Sequence, residues 1–333
     1  MNTTNPKQII IFGATGDVGK YLTYYLLKHI NKKDFEIIAI GSKESHVFDE
    51  LEVNYISVDI TNANAFKKLE NVTNPYAVIH LAGMMPARMK GYDPQRYIDV
   101  NITGTLNILN YCINKGIDRI LYSQSFGDIK EYSEKKPVLH ADMQRSFSFN
   151  NDHSVYVMTK NMAVDLIEHY HQKYGIKNFT FRLPTIYLWS EVDTYYVDGE
   201  IRKIGYRDLI DKAMSGGTIE IWGDKTRKKD MVYVKDFCQM LYLALISTNN
   251  NGYYNVGTGI GTSLEDQIKG IIDVFSPNNM KSIVKERPDL PNAPQYIMDI
   301  TPAVNELGYK PKYNYIDMLT DMKYHMENKT YFG

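Results

Sequence analysis

The chain has 333 residues, with 38 Lys plus Arg against 39 Asp plus Glu. That length allows one large domain or two linked ones with ample core, and the near-neutral charge leaves no basic footprint for a nucleic acid. The longest apolar runs, such as 8–12 and 77–82, are far too short to span a bilayer. Two cysteines, Cys112 and Cys238, make neither a disulfide framework nor a zinc site, and no metal is expected. Both fall in amphipathic helical patterns and read as small buried apolar residues. The N-terminal stretch Met-Asn-Thr-Thr-Asn-Pro-Lys-Gln lacks the apolar run of a secretory signal, so the expected compartment is the cytoplasm.

Ile9 to Phe12 reads as the first strand, and a helix is predicted from about Val18 to Ile30. Between them lie Gly13, Gly16 and Gly19 in Ile-Phe-Gly-Ala-Thr-Gly-Asp-Val-Gly. Glycines at this spacing allow a tight turn, close approach of backbone to a pyrophosphate, and close packing of helix on strand. The helix beginning near Asp17 offers unpaired N–H groups and a positive dipole end to the same pyrophosphate. Glycine triplets also occur in ordinary loops; here the flanking strand and helix favour a dinucleotide site. Gly13, Thr15, Gly16, Asp17, Val18 and Gly19 are its predicted members.

Phe35 to Ile40 is the second strand. NAD-selective sites place an acid at its end for the ribose hydroxyls, whereas this strand ends Gly41-Ser42-Lys43, with no carboxylate before Glu44. A hydroxyl and an ammonium suit a 2′-phosphate better than a bare ribose. Ser42 and Lys43 therefore point to NADP(H); the alternative is that they form merely a solvated loop, and NAD(H) is possible.

Asn54 to Val58 and Ala77 to Leu81 follow as strands, then a helix over about 94–115, a strand Arg119 to Ser123, a helix His153 to Lys173 and a strand Phe179 to Leu183. Strands alternating with helices predict an α/β fold, a Rossmann-type doubly wound parallel sheet covered on both faces. After Pro184 the rhythm loosens, and 189–229 mixes aromatics, charges and glycines. Gly252 to Gly259 reads as a late strand, and the segment after residue 286 holds five of the twelve prolines. The expected division is a dinucleotide-binding domain over 1–184 plus about 231–258, and a smaller C-terminal substrate-binding α/β domain over 185–230 and 259–333.

Tyr156 and Lys160 lie four residues apart on a predicted helix, so both share one face. With 27 tyrosines the pattern is easily met by chance, and it recurs at Tyr24/Lys28, Tyr111/Lys115 and Tyr132/Lys136. Position singles out Tyr156, which opens the helix after the fifth strand, where open α/β sheets place their chemistry. A phenol is a weak base at neutral pH. A nearby ammonium, or the positive ring of an oxidised nicotinamide, is expected to favour the phenolate. Ser125 is positioned to hydrogen-bond the same substrate oxygen, with Ser123 as its rival.

With these pieces in place, the chain resembles the extended short-chain dehydrogenase/reductase family in its nucleotide-sugar epimerase/dehydratase branch, from Ile9 to about Pro311. His80-Leu81-Ala82-Gly83 resembles the family's fourth-strand end beside the nicotinamide, implying roles for Leu81, Ala82, Gly83 and the following Met84. Asp59-Ile60 resembles the adenine-side pair, and Asn101-Ile102-Thr103-Gly104-Thr105 the central-helix motif behind the active site and the dimer interface. Arg182-Leu183-Pro184-Thr185-Ile186-Tyr187 is similar to the strand passing the nicotinamide amide. Lys229, where an arginine is usual, and Arg287-Pro288-Asp289 resemble the residues that hold a substrate's diphosphate and ribose; a planar guanidinium suits phosphate.

The resemblance implies catalysis by Ser125, Tyr156 and Lys160, cofactor contacts that include Tyr156, Lys160, Asn101 and Pro184, and substrate contacts from Met84, Ser125, Thr185, Lys229, Arg287 and Asp289. It implies a homodimer acting on a nucleotide diphosphate sugar by transient hydride removal, expected at C4. Departures refine this. The segment Ser123–Ile129 lacks the Thr-Asp-Glu triplet of the 4,6-dehydratases, which disfavours dehydration, and Leu188-Trp189 replaces the usual Gly-Pro. The family favours an epimerase, while the second-strand end leans towards an NADPH-dependent 4-keto-sugar reductase. A small-carbonyl reductase is a third option. A non-catalytic dinucleotide sensor fits least, because Tyr156 and Lys160 are both present.

Overall fold

The computed structural model describes residues 5–51, 53–151, 153–197 and 199–331. Seven strands form one parallel sheet: β1 Lys7–Phe12, β2 Phe35–Gly41, β3 Asn54–Ser57, β4 Pro75–His80, β5 Arg119–Ser125, β6 Lys177–Leu183 and β7 Asn251–Asn255. Their spatial order is β7-β6-β5-β4-β1-β2-β3. The order reverses between β1 and β4, and such a switch leaves a crevice at the strands' C-terminal ends.

The sheet is buried on both faces, which is why its strands are unbroken apolar runs. In β1, Ile9 and Ile11 enter one core while Ile10 and Phe12 enter the other, following the two-residue alternation of a strand. Helix α1 (Asp17–His29) and the helix Val234–Ile246 cover the first face. Helices α2 (Gly104–Lys115) and α3 (His153–Tyr174) cover the second. Each fully buried Ile or Phe contributes about 1.5–3 kcal/mol. Cys238 lies in the first core and Cys112 in the second, both with fully buried thiols; burial pushes Cys112 up to about 12.

The first core continues without interruption into Ile219, Ile221, Ile268, Ile271 and Met318 of the chain's second half. Segment 189–229, where sequence showed no rhythm, contains an antiparallel hairpin (Thr194–Val197 with Glu200–Lys203), a helix Gly205–Met214 and two short strands, Ile219–Trp222 and Lys228–Asp230. These strands escaped notice because their partners are distant: Ile219–Trp222 pairs with Val284–Arg287, and Lys228–Asp230 with Gly261–Ser263. The predicted helix over 94–115 is three joined pieces: an α-turn Pro94–Tyr97, a π-turn Ile98–Thr103, and α2. Among the described residues, no helix is long and apolar enough to cross a membrane, and no cluster of His, Cys, Asp or Glu could hold a metal.

Candidate active site

The glycine turn joins β1 to α1. Gly13 has φ +86°, and a Cβ there would lie 2.6 Å from the Ala82 amide nitrogen. A Cβ on Gly19 would lie 2.2 Å from the Gly13 carbonyl oxygen, so only glycine lets helix meet strand here. Gly16 is the N-cap of α1, with no side chain capping the helix. The first-turn N–H groups and the positive dipole end therefore face the crevice, an arrangement that fits a dinucleotide pyrophosphate. Asp17 serves as a tie within this turn: its carboxylate accepts from Arg88 Nη2 and Ser190 Oγ, each at 2.8 Å. Val18 packs partly buried against the first core.

At the end of β2, a Cβ on Gly41 would strike the Tyr55 hydroxyl and Thr15 Oγ1, while Ser42 and Lys43 are exposed. Exposure leaves both free to meet a phosphate. Asp59 holds its own turn, accepting from Thr61 N and Oγ1 at 3.0 and 2.8 Å. Ile60 is buried beneath Gly104, where a Cβ would come within 2.6 Å of its Cδ1.

Beyond β4, Leu81 N donates to the Phe12 carbonyl at 2.9 Å, fixing the path of Leu81, Ala82 and Gly83 beside the glycine turn. Asn101, 2% exposed on the π-turn, acts as a strut. Its Oδ1 accepts from Met84 N at 2.8 Å, and its Nδ2 donates to Met84 O and Thr159 Oγ1, both at 3.0 Å. Both amide hydrogens are spent on protein, so Asn101 holds the Met84 backbone against α3; π-turns recur where a helix is reshaped around such a site.

At the C-terminal end of β5, Ser125 Oγ accepts from Gly127 N at 3.1 Å and hydrogen-bonds the Tyr156 phenol. Ser123 is turned away, donating to the His80 carbonyl at 3.4 Å, so the geometry selects Ser125. Lys160, one turn further along α3, is 6% exposed; its Nζ lies 4.2 Å from the Tyr122 ring centre. A Cβ on Gly83 would stand 3.8 Å from the same Nζ.

Burial raises Tyr156 above the ordinary tyrosine value, and the Ser125 hydrogen bond opposes that rise. The cause is desolvation, which also drives Lys160 down to about 7 and so removes much of its charge at neutral pH.

His80, fully buried at the end of β4, is held down to about 3 by burial and secondarily by Lys160, so it is neutral. Thr105 Oγ1 donates to Asn101 O at 2.7 Å, so its 2.9 Å bond to His80 Nε2 is assigned with the imidazole as donor. A chain from the π-turn thus ends beneath Lys160. Sequence reading placed His80 in a motif but gave it no role. Nor did it give one to Tyr122, whose only signal was its place immediately before Ser123.

Tyr111 and Tyr132 belong elsewhere: Tyr111 is buried in the second core, with Lys115 bonding the carbonyls of Glu70 and Val72, and Tyr132 sits in a surface turn. On the other side of the crevice, Thr185, just past Pro184 at the end of β6, lies beside the buried Tyr296, whose hydroxyl has no hydrogen-bond partner among the described residues. Lys229 Nζ sits between Tyr187 and Tyr296, 5.5 Å from each ring centre. Arg287 pairs with Asp289 at 2.7 Å and with Glu220 at 3.3 Å. Thr185 and Lys229 thus meet at Tyr296, while Arg287 and Asp289 meet on a separate ladder.

The family model described as the NAD dependent epimerase/dehydratase family matches residues 9–257. A putative UDP-glucose 4-epimerase of Methanocaldococcus jannaschii is 24% identical over 308 residues, covering 91% of this chain and 93% of that protein. A UDP-glucuronate 4-epimerase of Thermodesulfobacterium geofontis is 26% identical over 260 residues, covering 78% and 74%. The fold is that of a solved UDP-glucose 4-epimerase with UDP-glucose from Thermotoga maritima, at TM-score 0.77 and 20% identity over 97% of this chain and 99% of that one. It is equally that of a UDP-glucuronic acid 4-epimerase from Bacillus cereus in complex with NAD, at TM-score 0.73 and 21% identity over 97% and 99%. The chain therefore belongs to the NAD dependent epimerase/dehydratase family and is a nicotinamide-dinucleotide-dependent enzyme of the extended short-chain dehydrogenase/reductase type.

Proposed function

We propose that this enzyme is a nucleotide-sugar epimerase acting at C4, with Tyr156 as acid and base. One observation carries the reading: Ser125, Tyr156 and Lys160 converge at the end of β5, beside a glycine turn built for a pyrophosphate. Bound there, a nicotinamide ring supplies hydride acceptance and return at the sugar carbon. Tyr156 takes the proton of the C4 hydroxyl and later gives it back, while the Ser125 hydroxyl steadies the same oxygen. Lys160, held down to about 7 by burial, is only partly charged near neutrality, and its ammonium form, one helical turn from the phenol, stabilises the phenolate as it forms. Lys229, between its two rings, and Arg287 with Asp289 form the proposed diphosphate and ribose side, contributed by 185–230 and 259–333. The relatives named as UDP-sugar 4-epimerases support this substrate class.

The exposed Ser42 and Lys43, with no acid at the ribose position, favour NADP(H), although related proteins were solved with NAD. That observation also favours a second reading, an NADPH-dependent 4-keto-sugar reductase running one half of the same cycle. Purified protein distinguishes the two: cofactor retained through gel filtration indicates an epimerase, and free exchange with NADPH a reductase. Thermal unfolding with UDP, dTDP, GDP and CDP tests the diphosphate assignment, because a ligand bound only by the native state raises Tm. Stabilisation by none of the four overturns it.

A further inference from the structure

The loop from β5 to α3 follows Ser125 and ends before His153, which shares the first turn of α3 with Tyr156, and a buried ion pair grips the loop's first turn. Arg182 on β6 donates to Asp128 Oδ2 from Nη2 at 2.9 Å and Nε at 3.3 Å, and the two side chains are 3% and 1% exposed. Its Nη1 reaches Ala141 O at 3.0 Å and Asn255 Oδ1 at 3.2 Å, and Asn255 donates onward to Leu139 O at 2.8 Å. Desolvating two charges is expensive, and such a pair is weak evidence for stability. Its geometry points to another use.

Asp128 closes the short turn Phe126–Asp128, whose cap is Ser125. The Asp128 carbonyl also accepts from Ser146 N at 2.6 Å, drawing in the far limb of the loop. On the opposite side the turn is pressed against α3: a Cβ on Gly127 would lie 2.8 Å from Val157 Cγ2 and 3.3 Å from Ser125 Oγ. Val157 neighbours Tyr156. The turn is thus clamped between α3 and β6, and the Gly127 N–H it presents occupies a lone pair of Ser125 Oγ. The Ser125 O–H is left to donate to the phenol.

We propose that Asp128 and Arg182 are positioning residues that aim the Ser125 hydroxyl at Tyr156. The proposal rests on the reading of Ser125 and Tyr156 as catalytic. Tyr156 is faced by Tyr97 across 6.1 Å, by Tyr122 from β5 and by Lys160 on its own helix; these stay constant across the variants below.

The test follows the Tyr156 phenol itself, as the tyrosinate absorbance of each protein minus that of its Tyr156→Phe counterpart. Ser125→Ala should move the titration midpoint upward, because the hydrogen bond favouring the phenolate is lost. Asp128→Asn should move it upward too, and Ser125→Ala with Asp128→Asn together no further than Ser125→Ala alone. Gly127→Ala unpairs no buried charge and should move the midpoint the same way, so it decides the matter if Asp128→Asn fails to fold. A wild-type midpoint in Asp128→Asn (or in Gly127→Ala, where that variant decides), or an additive shift in the double variant, overturns the positioning role alone. An unmoved midpoint in Ser125→Ala overturns it together with the catalytic reading of Ser125.

Discussion

Lys160 carries the sharpest electrostatic consequence at the scale of single residues. Above the ordinary lysine value of 10.5, the folded and unfolded chains are both neutral there, and nothing is lost. Below it, the unfolded chain takes up a proton that the buried amine refuses until about pH 7. Across that window the native state loses about 1.4 kcal/mol per pH unit from this group, and below it the deficit is constant. Lys160→Met should therefore stabilise the fold more at pH ~6 than at pH ~9, measured as the difference in Tm from the wild type; an equal difference at both would contradict the burial. Removing the Tyr156 hydroxyl as Phe should cost about 10²–10⁴ in turnover and leave Tm nearly unchanged. Ser42→Asp places an acid at the end of β2 and should weaken NADP+ binding relative to NAD+ by about tenfold or more, read from the two binding curves.

The place of the Tyr-Lys pair after the fifth strand was legible, and it sets the pair apart from Tyr111/Lys115 and Tyr132/Lys136. The environment of the pair was not. His80, Tyr122 and Thr105 stand on other elements, and nothing local in sequence says that they gather under one amine.

Among elements, the glycine turn shows how far spacing alone can reach. The motif predicted close approach of α1 to β1, and the 2.2 Å between a Cβ on Gly19 and the Gly13 carbonyl gives that approach its physical measure. Gly19→Ala should abolish dinucleotide binding and cost about 1–3 kcal/mol by overpacking. Gly116→Ala is its control. Gly116 ends α2 in the left-handed region at φ +67° with open space around it. That substitution should cost about 1 kcal/mol and spare binding, with thermal unfolding and fluorescence titration separating the two. The π-turn at Ile98–Thr103 was invisible, since the apolar pattern of 94–115 suits a plain helix; the bonds that the Asn101 side chain makes to Met84 and Thr159 come from residues distant in sequence. The ladders of Ile219–Trp222 and Lys228–Asp230 were equally hidden, because each strand is three or four residues long and its partner lies far along the chain.

For the molecule as a whole, the strand order puts β1, β4 and β5 around one crevice, and every predicted catalytic residue comes from the ends of those strands or from α3. The alternation of strands and helices in sequence implied a parallel sheet, because parallel neighbours require helical crossovers, but not the order of its strands. The way the second half builds onto the first core could not be read from its irregular composition. Ile98, Ile113, Met158 and Met162 remain exposed on the π-turn, α2 and α3, which suits the expected homodimer. If the chain is the expected homodimer, Met158→Glu with Met162→Glu should halve the mass found by sedimentation; an unchanged mass would contradict a dimer formed through this face.

The most direct test incubates wild type and Tyr156→Phe, each supplied with NAD+ and NADP+, with UDP-glucose, UDP-glucuronate, dTDP-glucose and GDP-mannose, and reads the C4 configuration by NMR. One of these sugars should yield its C4 epimer with the wild type and essentially none with Tyr156→Phe. No epimer from any of them, or equal conversion by both proteins, would contradict a tyrosine-driven epimerase.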